Sequence, residues 1–163
     1  MKYVLFFLSL VLIIIFIIWR TVAFYSFSNG CGGHLKRAAN SNTISIAKSE
    51  LKVAIAYLEA KDLTHGFVSI FIKQPKNDIG FFYTNVKASL SELESLPDSA
   101  SQLEKSNMLM KLRETLTDNG ENGTILACPD GISIHPHNAL FFWVLFFAFP
   151  ICVISGVIIS SEW

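Results

Sequence analysis

The chain has 163 residues, with 13 Lys/Arg against 13 Asp/Glu, 52% hydrophobic residues and a mean hydropathy of +0.45. Zero net charge gives no support to nucleic acid or another polyanion as a partner. The apolar excess sits at the two ends, and the roughly 115 residues left between them suffice for one small core but not two.

Tyr3 to Trp19 runs 17 residues without a charge behind Met1-Lys2. A Lys followed by an apolar run resembles a secretory signal. This run is longer than a usual signal core, and no small-x-small cleavage site follows before Tyr25. An uncleaved anchor over 1–25 is expected, with Arg20 snorkelling to the headgroups and Trp19 and Tyr25 at the interface. A removed signal is the alternative.

Asn29-Gly30-Cys31-Gly32-Gly33 reads as a flexible exit from the membrane. A helix begins near His34 and is strongest over Thr43 to Asp62, where Ile44, Ala47, Leu51, Ala54 and Leu58 recur at helical steps. Residues 34–42 either continue this helix or form a short one of their own, and Leu63 to Gly66 stops it. Phe67 to Lys73 is aromatic and β-branched and predicts a strand. Asp78 is placed to cap a helix from about Ile79 to Leu96, with Phe82, Val86, Leu90 and Leu93 buried and Pro97 as terminator. Ser101 and Glu104 fit a capping box for a helix to about Thr117, burying Leu109, Leu112 and Leu116. Asn119-Gly120 suits a left-handed cap. Thr124 to Cys128 and Gly131 to His135 predict two strands about a Pro129-Asp130-Gly131 turn.

Ala139 to Ser160 is 22 residues without a charge, mostly Phe, Ile, Val and Leu, and it has no polar face. About 20 such residues cross a hydrocarbon core, so a transmembrane helix is predicted. Pro150 should kink the helix there or leave a carbonyl free for a neighbour, and the spacing of Gly156 and Ser160 allows close helix approach. Neither span has an ionisable residue at its centre, which argues against a proton pathway, a carrier site or a voltage sensor.

The predicted order is α-β-α-α-β-β. This is an α+β fold in which two transmembrane helices, within 1–25 and 139–163, bracket one small, mainly helical domain with a short β-sheet over 26–138. Both tails then share one side and are too short for a signalling domain. Lys2 favours cytoplasmic tails and a periplasmic or extracellular domain, whereas Arg20, Lys36 and Arg37 argue the other way. The cysteines tip the expectation outward. Residues 21–76 carry seven Lys/Arg against three Asp/Glu, and residues 77–138 carry four against nine. Such halves favour packing on each other or on a second copy, although two solvated faces would read the same.

Cys31 and Cys128 lie near the two membrane ends and either pair in an oxidising compartment or stay as buried thiols. A bond closing a loop that long is worth about 4–5 kcal/mol in the chain-entropy account. Cys31 and His34, with Cys128, His135 and His137, also form a possible zinc set, which excludes the disulfide. Cys152, inside the second span, reads as a packing residue. No nucleophile elbow, zinc-protease helix or phosphate-binding loop occurs. Asp78, Glu92, Glu94 and Glu104 read as caps and solvated faces, and His65 as a loop residue. Asn122-Gly123-Thr124 matches a glycosylation acceptor.

The expectation is a non-enzymatic two-span integral membrane protein. Its domain serves as an interaction or assembly module, as a homo-oligomer or an accessory subunit of a membrane complex, with the bilayer as its other partner. The alternative is a juxtamembrane domain that binds or senses a small ligand or metal. A membrane enzyme remains a third class.

Overall fold

The structure, a computed structural model, describes residues 2–120 and 123–161. The chain divides into two compact units, Met1–Tyr25 with Ser133–Trp163, and Ser26–Ile132.

The first unit is built from two helices, α1 (Lys2–Phe27, all but its last two residues) and α6 (Asn138–Ser160). Both are long and apolar enough to cross a membrane. They run antiparallel and touch through aromatic rings. Phe16 meets Phe141 with centroids 5.0 Å apart, and Trp19 meets Phe141 at 4.9 Å and His137 at 5.4 Å. Phe16, Ile134 and Phe141 are buried together, with Ala23 and Val144 against them. Two buried hydroxyls satisfy themselves on their own helices, Ser9 donating to the Phe6 carbonyl at 2.9 Å and Ser155 to the Ile151 carbonyl at 2.6 Å. Outward-facing Phe142, Phe146, Phe147, Phe149, Ile154 and Val157 are exposed.

The second unit starts where the helix loosens. Ser28–Gly32 forms a π-helical turn that leads directly into α2 (Gly33–Ala39), so the expected flexible exit is helical instead. Small residues allow this: a methyl on Gly30 would lie 2.1 Å from the Tyr57 ring. After a break at Asn40 to Thr43 comes α3 (Ile44–Ala60), opened by the Thr43 hydroxyl, which accepts from the Ile46 N–H at 3.3 Å. This settles the open reading of 34–42 in favour of a separate short helix. α3 closes through Asp62 at φ 55°, with the Leu63 N–H donating to the Leu58 carbonyl at 2.8 Å.

The predicted strand Phe67 to Lys73 does not form. Only Phe67 bridges Asp78, with the Val68 N–H on the Asn77 carbonyl at 3.0 Å. Beyond Val68 the chain bends away to a 3-10 turn at Pro75–Asn77 and leaves Ile70, Phe71 and Ile72 exposed. A β-branched run makes a strand only where a second edge meets it. Asp78 then caps α4 (Ile79–Ser95), accepting from the Phe81 N–H at 3.1 Å. The capping box of α5 (Gln102–Leu116) is complete, with the Ser101 N–H on Glu104 at 2.7 Å and the Glu104 N–H on the Ser101 hydroxyl at 3.2 Å.

The sheet differs from expectation in its partners. Thr117–Gly120 is β1, not a helix cap, and it pairs antiparallel with β2 (Gly123–Leu126) in the register Thr117 to Leu126. Gly131 to His135 is not a strand, and Ile132–Ile134 is a 3-10 turn. Pro129 to Gly131 does turn, with Gly131 at φ 83° and the Ile132 N–H on the Pro129 carbonyl. Among the described residues the order of the domain is therefore four helices followed by two paired strands.

The core runs along α3. Its Ala47, Leu51, Ala54, Ile55 and Leu58 are buried against Leu35 and Ala38 of α2, Phe82, Val86 and Leu93 of α4, and Leu112 and Leu116 of α5. Each fully buried leucine contributes roughly 1.5–3 kcal/mol before the entropy of ordering it is set against it. The charge asymmetry has a counterpart in this packing. Lys52 of α3 meets Glu94 of α4 at 2.8 Å, joining the basic half to the acidic one. Lys111 and Glu92, at 2.7 Å, pair within the acidic half.

Candidate functional site

The most distinctive polar group of the domain lies between α2 and α3. α3 turns the face carrying Ala47, Leu51 and Ala54 inward, and Glu50 falls on its edge, 7% exposed. An isolated carboxylate there would be costly. α2 supplies the answer with two residues one turn apart: His34 Nδ1 lies 2.6 Å from Glu50 Oε2, and the Arg37 guanidinium lies 2.5 Å from Oε1. Each carboxylate oxygen thus has its own charge-assisted partner. With Nδ1 turned to the carboxylate, His34 resembles the oriented imidazole of a catalytic triad in one respect only. No hydrogen bond joins it to a Cys or Ser among the described residues, so the cluster works as a clamp between two helices.

The thiols have a different environment. Cys31, in the π-helical turn, is fully buried in the domain core, and Cys128 packs against the same core from the far end of the hairpin. Both are free thiols, so the expected cross-link between them is not present. Burial pushes the Cys128 thiol up to about 11; the Asp130 carboxylate adds to this and the Lys36 ammonium opposes it. Cys128 is therefore protonated at neutral pH and a poor nucleophile.

The chain matches no protein-family model, no curated protein and no solved structure.

Among the described residues, no three of His, Cys, Asp or Glu form a group able to hold a metal ion. Of the possible zinc set, Cys31, His34 and Cys128 belong to the second unit, with His34 committed to Glu50. His135 and His137 belong to the first, where the His137 ring lies on Trp19. The carboxylates read as caps and faces are that: Asp78 and Glu104 cap helices, and Glu92 and Glu94 pair with Lys111 and Lys52. The Lys52 ammonium holds the Glu94 carboxyl below its usual range, and the Ser101 N–H does the same for Glu104. His65 is an exposed loop residue near Asp62 at 3.8 Å.

In the first unit, Gly156 faces α1, where a methyl would come within 3.4 Å of the Phe6 ring. Ser160 is exposed and donates to the Val157 carbonyl at 3.0 Å. Pro150 is exposed inside α6, and Cys152 is a half-buried free thiol. The contact surface within this unit is mainly aromatic, built on Phe16, Trp19 and Phe141. Beside it, Leu5, Leu8, Leu12, Trp143, Phe147 and Ile151 line an apolar groove of about 340 Å³. Asn122 of the glycosylation triplet lies outside the described residues.

Proposed function

We propose that the chain is an integral membrane protein with two spans, and that the domain Ser26–Ile132 is a non-enzymatic interaction or assembly module. The observation that carries the membrane half is exposure. Only 11% of each apolar helical window is buried within the structure. A large apolar side chain left in water forgoes roughly 1.5–3 kcal/mol. A row of ten such residues would forgo on the order of 20 kcal/mol, more than the whole stability of a typical domain. Hydrocarbon removes that penalty. A core helix of a soluble protein would instead be covered by its own chain.

Support for the assembly half comes from two surfaces. Ile70, Phe71 and Ile72 stand exposed in succession on the domain, a pattern that marks contact with another protein more often than solvent. The groove between α1 and α6 offers an apolar seat for side chains of a further helix, from a second copy or from another subunit. In this reading the domain lies on the extracytoplasmic side.

Native mass spectrometry of the chain in lipid nanodiscs tests the proposal. A homo-oligomer or a co-purifying membrane subunit is the expected result, and a lone monomer overturns the assembly half. Solubility in detergent-free buffer overturns the membrane half. A cysteine introduced at Ser99 should react with an impermeant maleimide on intact cells; reaction only after lysis reverses the orientation.

A further inference from the structure

A cavity of about 730 Å³ in the second unit lies between the turn joining α2 to α3 and α5. Its volume is that of a small-molecule site. Three cations line it, Lys48 from α3 and Lys105 and Arg113 from α5, and Asp98 is the acid among its lining residues. The remainder of the wall is mixed: Leu96, Leu109 and Met110 give it an apolar side, and Asn42, Ser45 and Ser106 give it small polar groups.

The charge is out of step with its surroundings. Over Ser26–Ile132 the sequence has eleven Lys/Arg against twelve Asp/Glu, so the domain as a whole is slightly acidic. Toward α4 its cations are answered: Lys52 meets Glu94, Lys87 lies 3.7 Å from Glu59, and Lys111 meets Glu92. Lys48, Lys105 and Arg113 have no ion pair among the described residues. Lys105 donates to the Asp98 backbone carbonyl at 3.1 Å, which holds its ammonium at the rim. Three cations and one acid line the groove, and Glu94 and Glu104, outside the lining, act on Lys48 and Lys105 at longer range. A phosphate monoester carries about −1.5 to −2 at neutral pH, with three acceptor oxygens. A carboxylate offers only two oxygens to the three cations.

We propose that this groove binds an organic phosphate, its head on Lys48, Lys105 and Arg113 and its hydrocarbon on Leu96, Leu109 and Met110. The same chemistry is offered by a soluble phosphate ester and by the headgroup of an anionic lipid. The site is separate from the His34–Arg37–Glu50 clamp and holds whether or not the domain assembles with a partner.

Hydrogen–deuterium exchange of the full chain in phosphatidylcholine nanodiscs tests it, with hexyl phosphate as the soluble probe and discs containing phosphatidic acid as the lipid probe. Slower exchange over residues 40–48 and 98–113 with either probe is the expected result. Protection by the lipid alone assigns the source to a headgroup, and protection by hexyl phosphate assigns it to a soluble ester. Lys48→Gln and Arg113→Gln should each weaken binding about tenfold, as expected for one charge-assisted hydrogen bond lost. Both residues reach solvent, so the variants should keep the unliganded exchange pattern. No protection from either probe, or protection unchanged in the double variant, overturns the proposal.

Discussion

Removing both partners of Glu50 tests whether the clamp between α2 and α3 is an electrostatic necessity. In His34→Ala/Arg37→Ala the carboxylate keeps its place, with its side chain 9% exposed, and loses both charge-assisted contacts. Stripping a buried charge of its partners costs about 3–5 kcal/mol. The Arg37 side chain is 69% exposed, so water can enter where it stood, and the cost falls to about 2–3 kcal/mol. Arg37→Ala alone should cost under about 1 kcal/mol. Native-state hydrogen exchange at the Leu51, Ala54 and Leu58 amides, on the full chain in nanodiscs, measures this directly. Their opening should become roughly 50-fold more frequent in the double variant. Adding Glu50→Leu removes the stranded charge and should return most of the loss. Should the triple variant exchange as fast as the double one, the damage is lost packing of the His34 and Arg37 stems, and the electrostatic account is wrong.

Gly30→Ala should destabilise the domain by about 1–3 kcal/mol, because the new methyl would sit 2.1 Å from the Tyr57 ring; adding Tyr57→Ala should make the two changes less than additive in the same exchange measurement. Raising pH should weaken the domain through Cys128. Its folded value lies above its unfolded one, so its contribution is complete below pH about 9 and is lost as pH rises toward about 11. The loss is at most about 3 kcal/mol, and Cys128→Ala should flatten this part of the stability–pH curve relative to wild type. Gly156→Leu should force α6 off α1 near Phe6. Cross-linking between cysteines placed at Phe6 and Gly156 neighbours, compared with and without the substitution, should fall severalfold, while pairs near Phe16 and Phe141 are less affected.

What could be read from the residues follows the range of the forces involved. The caps at Asp78 and at Ser101 with Glu104 are contacts three residues long, and the structure has them where the pattern puts them. The two apolar helices are legible because twenty residues of one character need no partner to be recognised. The strand at Phe67 to Lys73 was not legible in the same sense, since the pairing that would make it a strand lies elsewhere in the chain. Thr117 to Gly120 shows the converse: Asn119-Gly120 has the composition of a cap, yet the backbone extends because Gly123–Leu126 comes back beside it. The partners of Glu50 are not legible for a related reason. Its place three residues beyond Ala47 marks it as buried, and a carboxylate on an apolar stripe signals a partner, but naming His34 and Arg37 requires the α2–α3 turn. The groove on α5 is further still from any local signal, as it joins residues 48, 105 and 113 through tertiary structure alone.

α3 touches α2, α4 and α5, and α5 also packs on α2 and α4, so each helix of the domain leans on at least two others. Fraying of any one of them uncovers apolar side chains on its neighbours. Proteases should accordingly find the domain either intact or open along its whole length, with cuts confined to the exposed Ile70–Ile72 loop until the whole gives way.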